Sequence, residues 1–152
     1  MKSLHPRIRV LWIVRAIVYS AAIGAVGVAL AMNFEQPIEL PIGVAGTIGI
    51  LWVVHAILRY RKWRYEIRDD SVYLERGVIT EVRTVVPLVR IQHVDSRRSA
   101  IERLVGLASV VVYTAGSRGA DVRIPGLLPG EATDLRERLK GLAIEAGEED
   151  AV

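Results

Sequence analysis

The chain has 152 residues, 51% hydrophobic and 24% charged, with a mean hydropathy of +0.31, unusually apolar for one soluble domain of this length. The lack of cysteine excludes disulfide scaffolds, Cys-based zinc sites, iron–sulfur clusters and thiol catalysis. The net charge of +3 arises where basic residues flank apolar runs, whereas residues 65–152 carry twelve basic and fifteen acidic side chains; a phosphate-tracking domain would carry positive charge on its own surface, so nucleic acid is not an expected partner.

Residues 1–15 contain Lys2, Arg7, Arg9 and Arg15 and no acid. Two uncharged runs of 19 residues follow, 16–34 and 40–58, counting His55 as neutral. As helices each spans about 28 Å, close to the hydrocarbon thickness of a bilayer. The rest of the chain is too short and too polar to enclose two such helices, so both are predicted to cross the membrane as an antiparallel hairpin. The loop between them carries Glu35 and Glu39 but no Lys or Arg, while Arg59, Arg61, Lys62 and Arg64 crowd the far flank. The positive-inside rule then places both termini, and everything after Arg59, in the cytoplasm, at the plasma membrane. Trp12, Tyr60 and Trp63 are expected in the aromatic belt at that face, and Arg15 to snorkel back toward the headgroups. Ala29-Leu30-Ala31 resembles a signal-peptide cleavage site. However, the apolar run exceeds a typical signal core and a second span follows closely, so an uncleaved span is expected. The small-residue spacings Ala21/Ala25/Ala29 and Ala45/Gly49 are read as packing within the hairpin, and His55 as interfacial. Neither span contains Asp or Glu, which argues against a proton or cation pathway.

From Tyr65 the pattern becomes that of a small α+β domain. Residues 64–68 alternate as a half-buried strand. Asp69-Asp70-Ser71 is a turn cluster, 72–76 a second strand, 81–88 a third ending at Pro87, and 91–95 a fourth. Ser99-Ala100-Ile101-Glu102 is a capping box opening a short helix that ends at Gly106. Residues 108–114 read as a buried strand, 115–119 as a turn and 120–125 as the returning strand. Pro129 opens an amphipathic helix with Leu135, Leu139 and Leu142 on one face. The acidic tail 145–152 is expected to fray. The expected domains are thus 1–64, flank and transmembrane hairpin; 65–144, a cytoplasmic domain; and 145–152, the tail.

The segment Val86-Pro87-Leu88-Val89-Arg90-Ile91-Gln92-His93-Val94-Asp95, then 101–108, then Tyr113-Thr114-Ala115-Gly116, resembles the YdbS-like family of bacterial and archaeal pleckstrin-homology-like membrane proteins, over about residues 5–140. The resemblance implies a PH-like fold: two antiparallel sheets, a short internal helix and a carboxy-terminal capping helix. It also implies no established enzymatic activity. In eukaryotic PH domains basic residues around the loop joining the first two strands hold phosphoinositides; here that loop is the acidic Asp69-Asp70-Ser71, which argues against that route.

No catalytic constellation accompanies this fold. His5, His55 and His93 have no metal-ligand spacing, and Gly116-Ser117-Arg118-Gly119 lacks the Lys-Ser/Thr step of a phosphate loop. His93 beside Asp95 would share one strand face and is read as a surface hydrogen bond. No enzyme, cofactor or metal is implied. Arg90, Arg97, Arg98 and Arg103 form the densest basic group of the domain, a candidate patch for a partner or for anionic headgroups; the alternative is a solvated surface paired to Asp95 and Glu102. The best-fitting function is a membrane-anchored interaction module that recruits or organises proteins, in which an exposed strand edge could accept a peptide. A sensor of anionic lipid headgroups and a subunit of a small transport complex are the alternatives. Homo-oligomerisation is compatible with each.

Overall fold

A computed structural model describes residues 1–116 and 121–149. Residues 117–120, which hold most of the predicted turn and Ala120, and the last three residues of the predicted tail lie outside the described residues. The chain divides into two compact units, Arg9–Arg61 and the rest, Met1–Ile8 with Lys62–Val152.

The first unit consists of most of α1 (Arg7–Asn33) and α2 (Glu39–Lys62), of 27 and 24 residues. Both helices are long and apolar enough to cross a membrane, and only 11% and 6% of their apolar windows are buried by protein. They overrun the apolar runs at the basic ends, because nothing in Arg7–Arg15 or Arg59–Lys62 breaks a helix. The two helices meet through small side chains. A Cβ at Gly24 would lie 2.9 Å from that of Ala45, one at Gly27 2.7 Å from Pro41, and one at Gly49 2.9 Å from the Ser20 hydroxyl. Ala45 and Gly49 thus pack within the hairpin as expected. The α1 seam is instead Ala16, Ser20, Gly24, Gly27 and Ala31, and Ala21, Ala25 and Ala29 are exposed. The expected face was misplaced because several small-residue registers coexist on one glycine- and alanine-rich helix, and spacing alone does not choose among them.

The second unit is an α+β domain with two antiparallel sheets. The first sheet has the order β1 (Lys2–Ser3), β2 (Arg64–Ile67), β3 (Ser71–Arg76), β4 (Val82–Pro87); the second has β5 (Ile91–Arg97), β6 (Ala108–Thr114), β7 (Val122–Leu127). A 3₁₀ turn, Leu88–Arg90, joins the sheets. The helix α3 (Ala100–Leu104) links β5 to β6, and α4 (Pro129–Glu149) packs on β5, β6 and the 3₁₀ turn. The core is the inward side of this layered arrangement: Val72, Leu74, Val110, Val112 and Ile124 are fully enclosed, with Leu139 of α4 closing over them. α4 buries Ala132, Leu135 and Leu139, while Leu142 is half-buried. It continues through Glu149 rather than fraying at Glu145, since Glu, Ala and Ile sustain a helix.

The division differs from that expected at both borders. Residues 1–8 belong to the β unit: β1 pairs with β2 (Lys2 opposite Tyr65, Ser3 opposite Arg64), and Leu4 and Ile8 are buried. A two-residue strand is too short to leave a period-2 signature. Trp63 is 3% exposed and stacks edge-on against Tyr65, so it is a core residue rather than an interfacial one. Gly126, at φ +66°, lies where the β6–β7 register shifts, and its carbonyl accepts the His5 amide at 2.8 Å. A Cβ there would lie 2.9 Å from Ile8. Gly126→Ala is therefore expected to destabilise the domain by about 2 kcal/mol or more, combining left-handed strain with overpacking. Thermal unfolding of the detergent-solubilised full chain would measure it.

Candidate functional site

The four arginines singled out from the sequence do not form one patch. Arg90 precedes β5 and Arg97 ends it, so the strand holds them about 23 Å apart. Arg103 points to solvent from α3. Arg97 and Arg98 do come together, and they are joined by Arg123 from β7, which had not stood out in the sequence. With Ser99, Glu102, Val111, Tyr113, Asp121 and Val122 they line a depression of about 670 Å³. Each of the three cations is already engaged. Arg97 lies over and hydrogen-bonds to Tyr113 and is 3.9 Å from Asp95. Arg98 donates to the Leu107 carbonyl at 3.2 Å, and Arg123 pairs with Glu102 at 2.9 Å.

Glu102 is the centre of that cluster. Its backbone amide donates to the Ser99 hydroxyl at 3.3 Å, and one of its carboxylate oxygens accepts the Ser99 amide at 2.8 Å, completing the predicted capping box. The other oxygen takes Arg123 from β7. The residue is 4% exposed. Burial opposes its ionisation, but the Ser99 amide and hydroxyl and the Arg123 guanidinium outweigh it, so the carboxyl is held below its ordinary value.

A second concavity lies on the opposite edge of the same sheet. β5 pairs only with β6 among the described residues. Its other edge faces α4 across a groove of about 540 Å³, lined from the strand by Ile91–Asp95 and from the helix by Arg136, Glu137, Lys140, Ala143 and Ile144. The register shifts between Ile91 and His93, which leaves His93–Arg97 as the regular stretch. Ile144 is 54% exposed on the helix wall. Arg136 is paired with Glu137 at 2.5 Å, and the exposed Lys140 ammonium adds its pull on Glu137. His93 and Asp95 meet at 2.7 Å on the exposed strand face, as a surface pair. The α4 wall was missed because the charged residues there were assigned to solvent, and Ile144 lay beyond the leucine stripe.

The juxtamembrane basic cluster divides between the units. Within the hairpin, Arg59 lies 4.4 Å over Trp12 and Arg9 5.5 Å over Tyr60. His55 shares a small cavity of about 200 Å³ with Arg15, Tyr19, Trp52 and Arg59. Arg61, Lys62 and Arg64 are exposed. The acidic Asp69-Asp70-Ser71 turn lies at the opposite end of the first sheet from Ser3 and Arg64, where the chain joins the hairpin. Among the described residues, no three His, Cys, Asp or Glu side chains are grouped to hold a metal ion.

Comparison with known proteins agrees with this architecture. The family model described as "Bacterial PH domain" matches residues 9–143. The chain is 29% identical over 140 residues to UPF0699 transmembrane protein YdbS of Bacillus subtilis (strain 168), covering 87% of this chain and 86% of that protein. It is 22% identical over 108 residues to UPF0699 transmembrane protein YdbT of the same organism, covering 70% of this chain but 22% of that longer protein. No solved structure matches it significantly.

Because the Glu102 carboxyl is held low, its contribution to stability is present above the ordinary carboxylate value and is lost as pH falls through and below that range. Glu102→Gln is expected to cost about 2 kcal/mol at neutral pH. The gap between variant and parent should narrow on acidification, in parallel thermal unfolding curves.

Proposed function

Because this chain belongs to the bacterial PH domain family, whose fold hosts binding rather than one fixed chemistry, we propose that it is a non-catalytic, membrane-anchored module that captures protein partners at the cytoplasmic face of the plasma membrane. The hairpin crosses the bilayer twice, with both termini and the PH-like unit inside. The asymmetry of Lys and Arg about the Glu35–Glu39 loop supports that orientation.

The groove between the β5 edge and α4 carries the reading. The outer edge of His93–Arg97 presents backbone donors and acceptors to an incoming extended segment, and the α4 wall offers an apolar seat at Ile144 and Ala143 with Lys140 beside it. Strand addition supplies main-chain hydrogen bonds, and the wall supplies selectivity. Exposed edges of this kind are ordinarily blunted by charge or a bulge. Here the bulge at Gln92 shortens the edge to about five residues, enough for one short partner segment and too little for an extended sheet.

A second reading, the recognition of anionic headgroups, is favoured by the meeting of Arg97, Arg98 and Arg123. Their existing partners weaken it, since a ligand would have to compete with Glu102, Tyr113 and the Leu107 carbonyl. Under the partner-capture reading Arg97→Ala/Arg98→Ala leaves vesicle affinity unchanged.

Two experiments test the proposal on the full chain. Photocrosslinking residues placed at His93 and Ile144 in native membranes are expected to react with the same segment of one partner, and one at Thr133, elsewhere on α4, is not. Equal adducts at all three positions would sink the groove. The chain lacks cysteine, so single cysteines report topology directly. Glu35→Cys should react with an impermeant maleimide in intact cells, and Asp69→Cys only after permeabilisation.

A further inference from the structure

We propose that the PH-like unit touches the bilayer interface at two apolar tips, the β3–β4 turn at Ile79 and α3 at Leu104, which fix its orientation on the membrane. The inference rests on the reading that the hairpin spans the bilayer. Its argument comes from strand register inside the β unit. The chain leaves this unit after Ile8, following β1, and returns to it at Lys62, before β2. β1 and β2 are antiparallel with Ser3 opposite Arg64, so both connections lie at one end of the sheet. Arg64 is in turn opposite Glu75 of β3, and β3 continues to Arg76, opposite Val82 of β4. The turn 77–81 therefore projects beyond Arg64 at that same end.

This turn is uncharged from Gly77 to Thr80, and Ile79 is 92% exposed at its tip, the most exposed of the large apolar side chains. It is also tightly wound. Gly77 has φ +108°, and a Cβ there would lie 1.9 Å from the Thr80 carbonyl oxygen, so this tight turn requires glycine at its first position. Glu81, the acid at its base, is neutralised by Arg83 at 2.6 Å.

The second tip reaches the same end by a different route. A Cβ at Gly106, just after α3, would lie 3.1 Å from the guanidinium of Arg7, the first residue of α1. On α3 Leu104 is 87% exposed and Ile101 49%, with the exposed Arg103 between them. Apolar side chains flanked by cations are what the headgroup–acyl boundary accepts. Lys62, Arg64 and Arg103 of this unit supply the cations. The acidic Asp69-Asp70 turn, at the far end of the sheet, faces away from this surface.

The test uses the full chain in nanodiscs of phosphatidylethanolamine and phosphatidylglycerol, with an environment-sensitive fluorophore on single cysteines: Ile79→Cys, Leu104→Cys, Asp69→Cys and Val26→Cys. Lipids bearing a nitroxide near the headgroup should quench the labels at 79 and 104 about twofold or more, as expected for side chains seated at the boundary. The label at 69 should stay unquenched. If either 79 or 104 is quenched no more than 69, while a deep nitroxide quenches 26, the two-point contact is overturned and the spanning hairpin stands. If 26 is not quenched, the spanning reading falls and takes the contact with it.

Discussion

The arrangement of this protein depends on a pairing of two residues. Lys2 and Ser3 lie against Tyr65 and Arg64, so the segment that leads into the first helix and the segment that leaves the second are stitched side by side in one sheet. Few hydrogen bonds are involved, and a two-residue strand alone would not hold. What makes it hold is burial. Leu4 is 1% and Ile8 2% exposed, each worth about 1.5–3 kcal/mol when removed from water. The His5 amide is bonded to Gly126, whose missing Cβ is the space Ile8 occupies. The amino terminus therefore behaves as part of the β unit, and the membrane hairpin is in effect an insertion between β1 and β2.

Within the β unit, the competition for Glu102 decides what the basic residues are free to do. A carboxylate this enclosed is costly unless every lone pair is met. The capping box meets one oxygen and Arg123 the other, so the short α3 is fastened to both its own amino terminus and β7. The same arrangement ties up Arg123. Removing Arg123 from Glu102 to greet a phosphate would leave a buried charge uncompensated, a penalty of several kcal/mol. An exposed cation attracts an anionic surface with only about 1 kcal/mol. The comparison favours structure over ligand at that depression, which is why the proposed recognition surface is the β5–α4 groove instead.

Much of this was legible in the sequence because the signals were long or chemically specific. Two 19-residue uncharged runs admit few readings, and Ser99 with Glu102 three residues on is the capping box the structure contains. The alternation of 64–68 and the continuous apolar run within 108–114 each marked a strand of one of the two sheets. What escaped was short or depended on three-dimensional meeting. β1 has two residues and no pattern, the 3₁₀ turn at Leu88–Arg90 was merged into a strand boundary, and Trp63 looked interfacial because an aromatic beside a basic cluster usually is. The arginine group failed as a patch for a geometric reason: closeness in sequence from Arg90 to Arg103 is spent along an extended strand and around a helix. Arg123, 25 residues after Arg98, is the one that arrives. The groove is a property of β5 and α4 together, and no local motif encodes it.

The two features that set this chain apart from a soluble PH domain are then physically linked. A five-residue strand edge with one apolar wall is a small recognition surface, and in free solution the loss of translational and rotational freedom would consume most of its contact energy. On the proposed partner-capture reading, anchoring the module would raise the effective concentration of a partner held in the same membrane, into the millimolar range for short tethers, so a weak groove would be sufficient. That gain is realised only if the groove is held at an angle a partner can reach. A tether by itself supplies proximity without orientation. In the proposed arrangement the hairpin would supply the proximity and the bilayer contact at Ile79 and Leu104 the orientation, and a fold with an acidic first loop would serve as a binding device by that route.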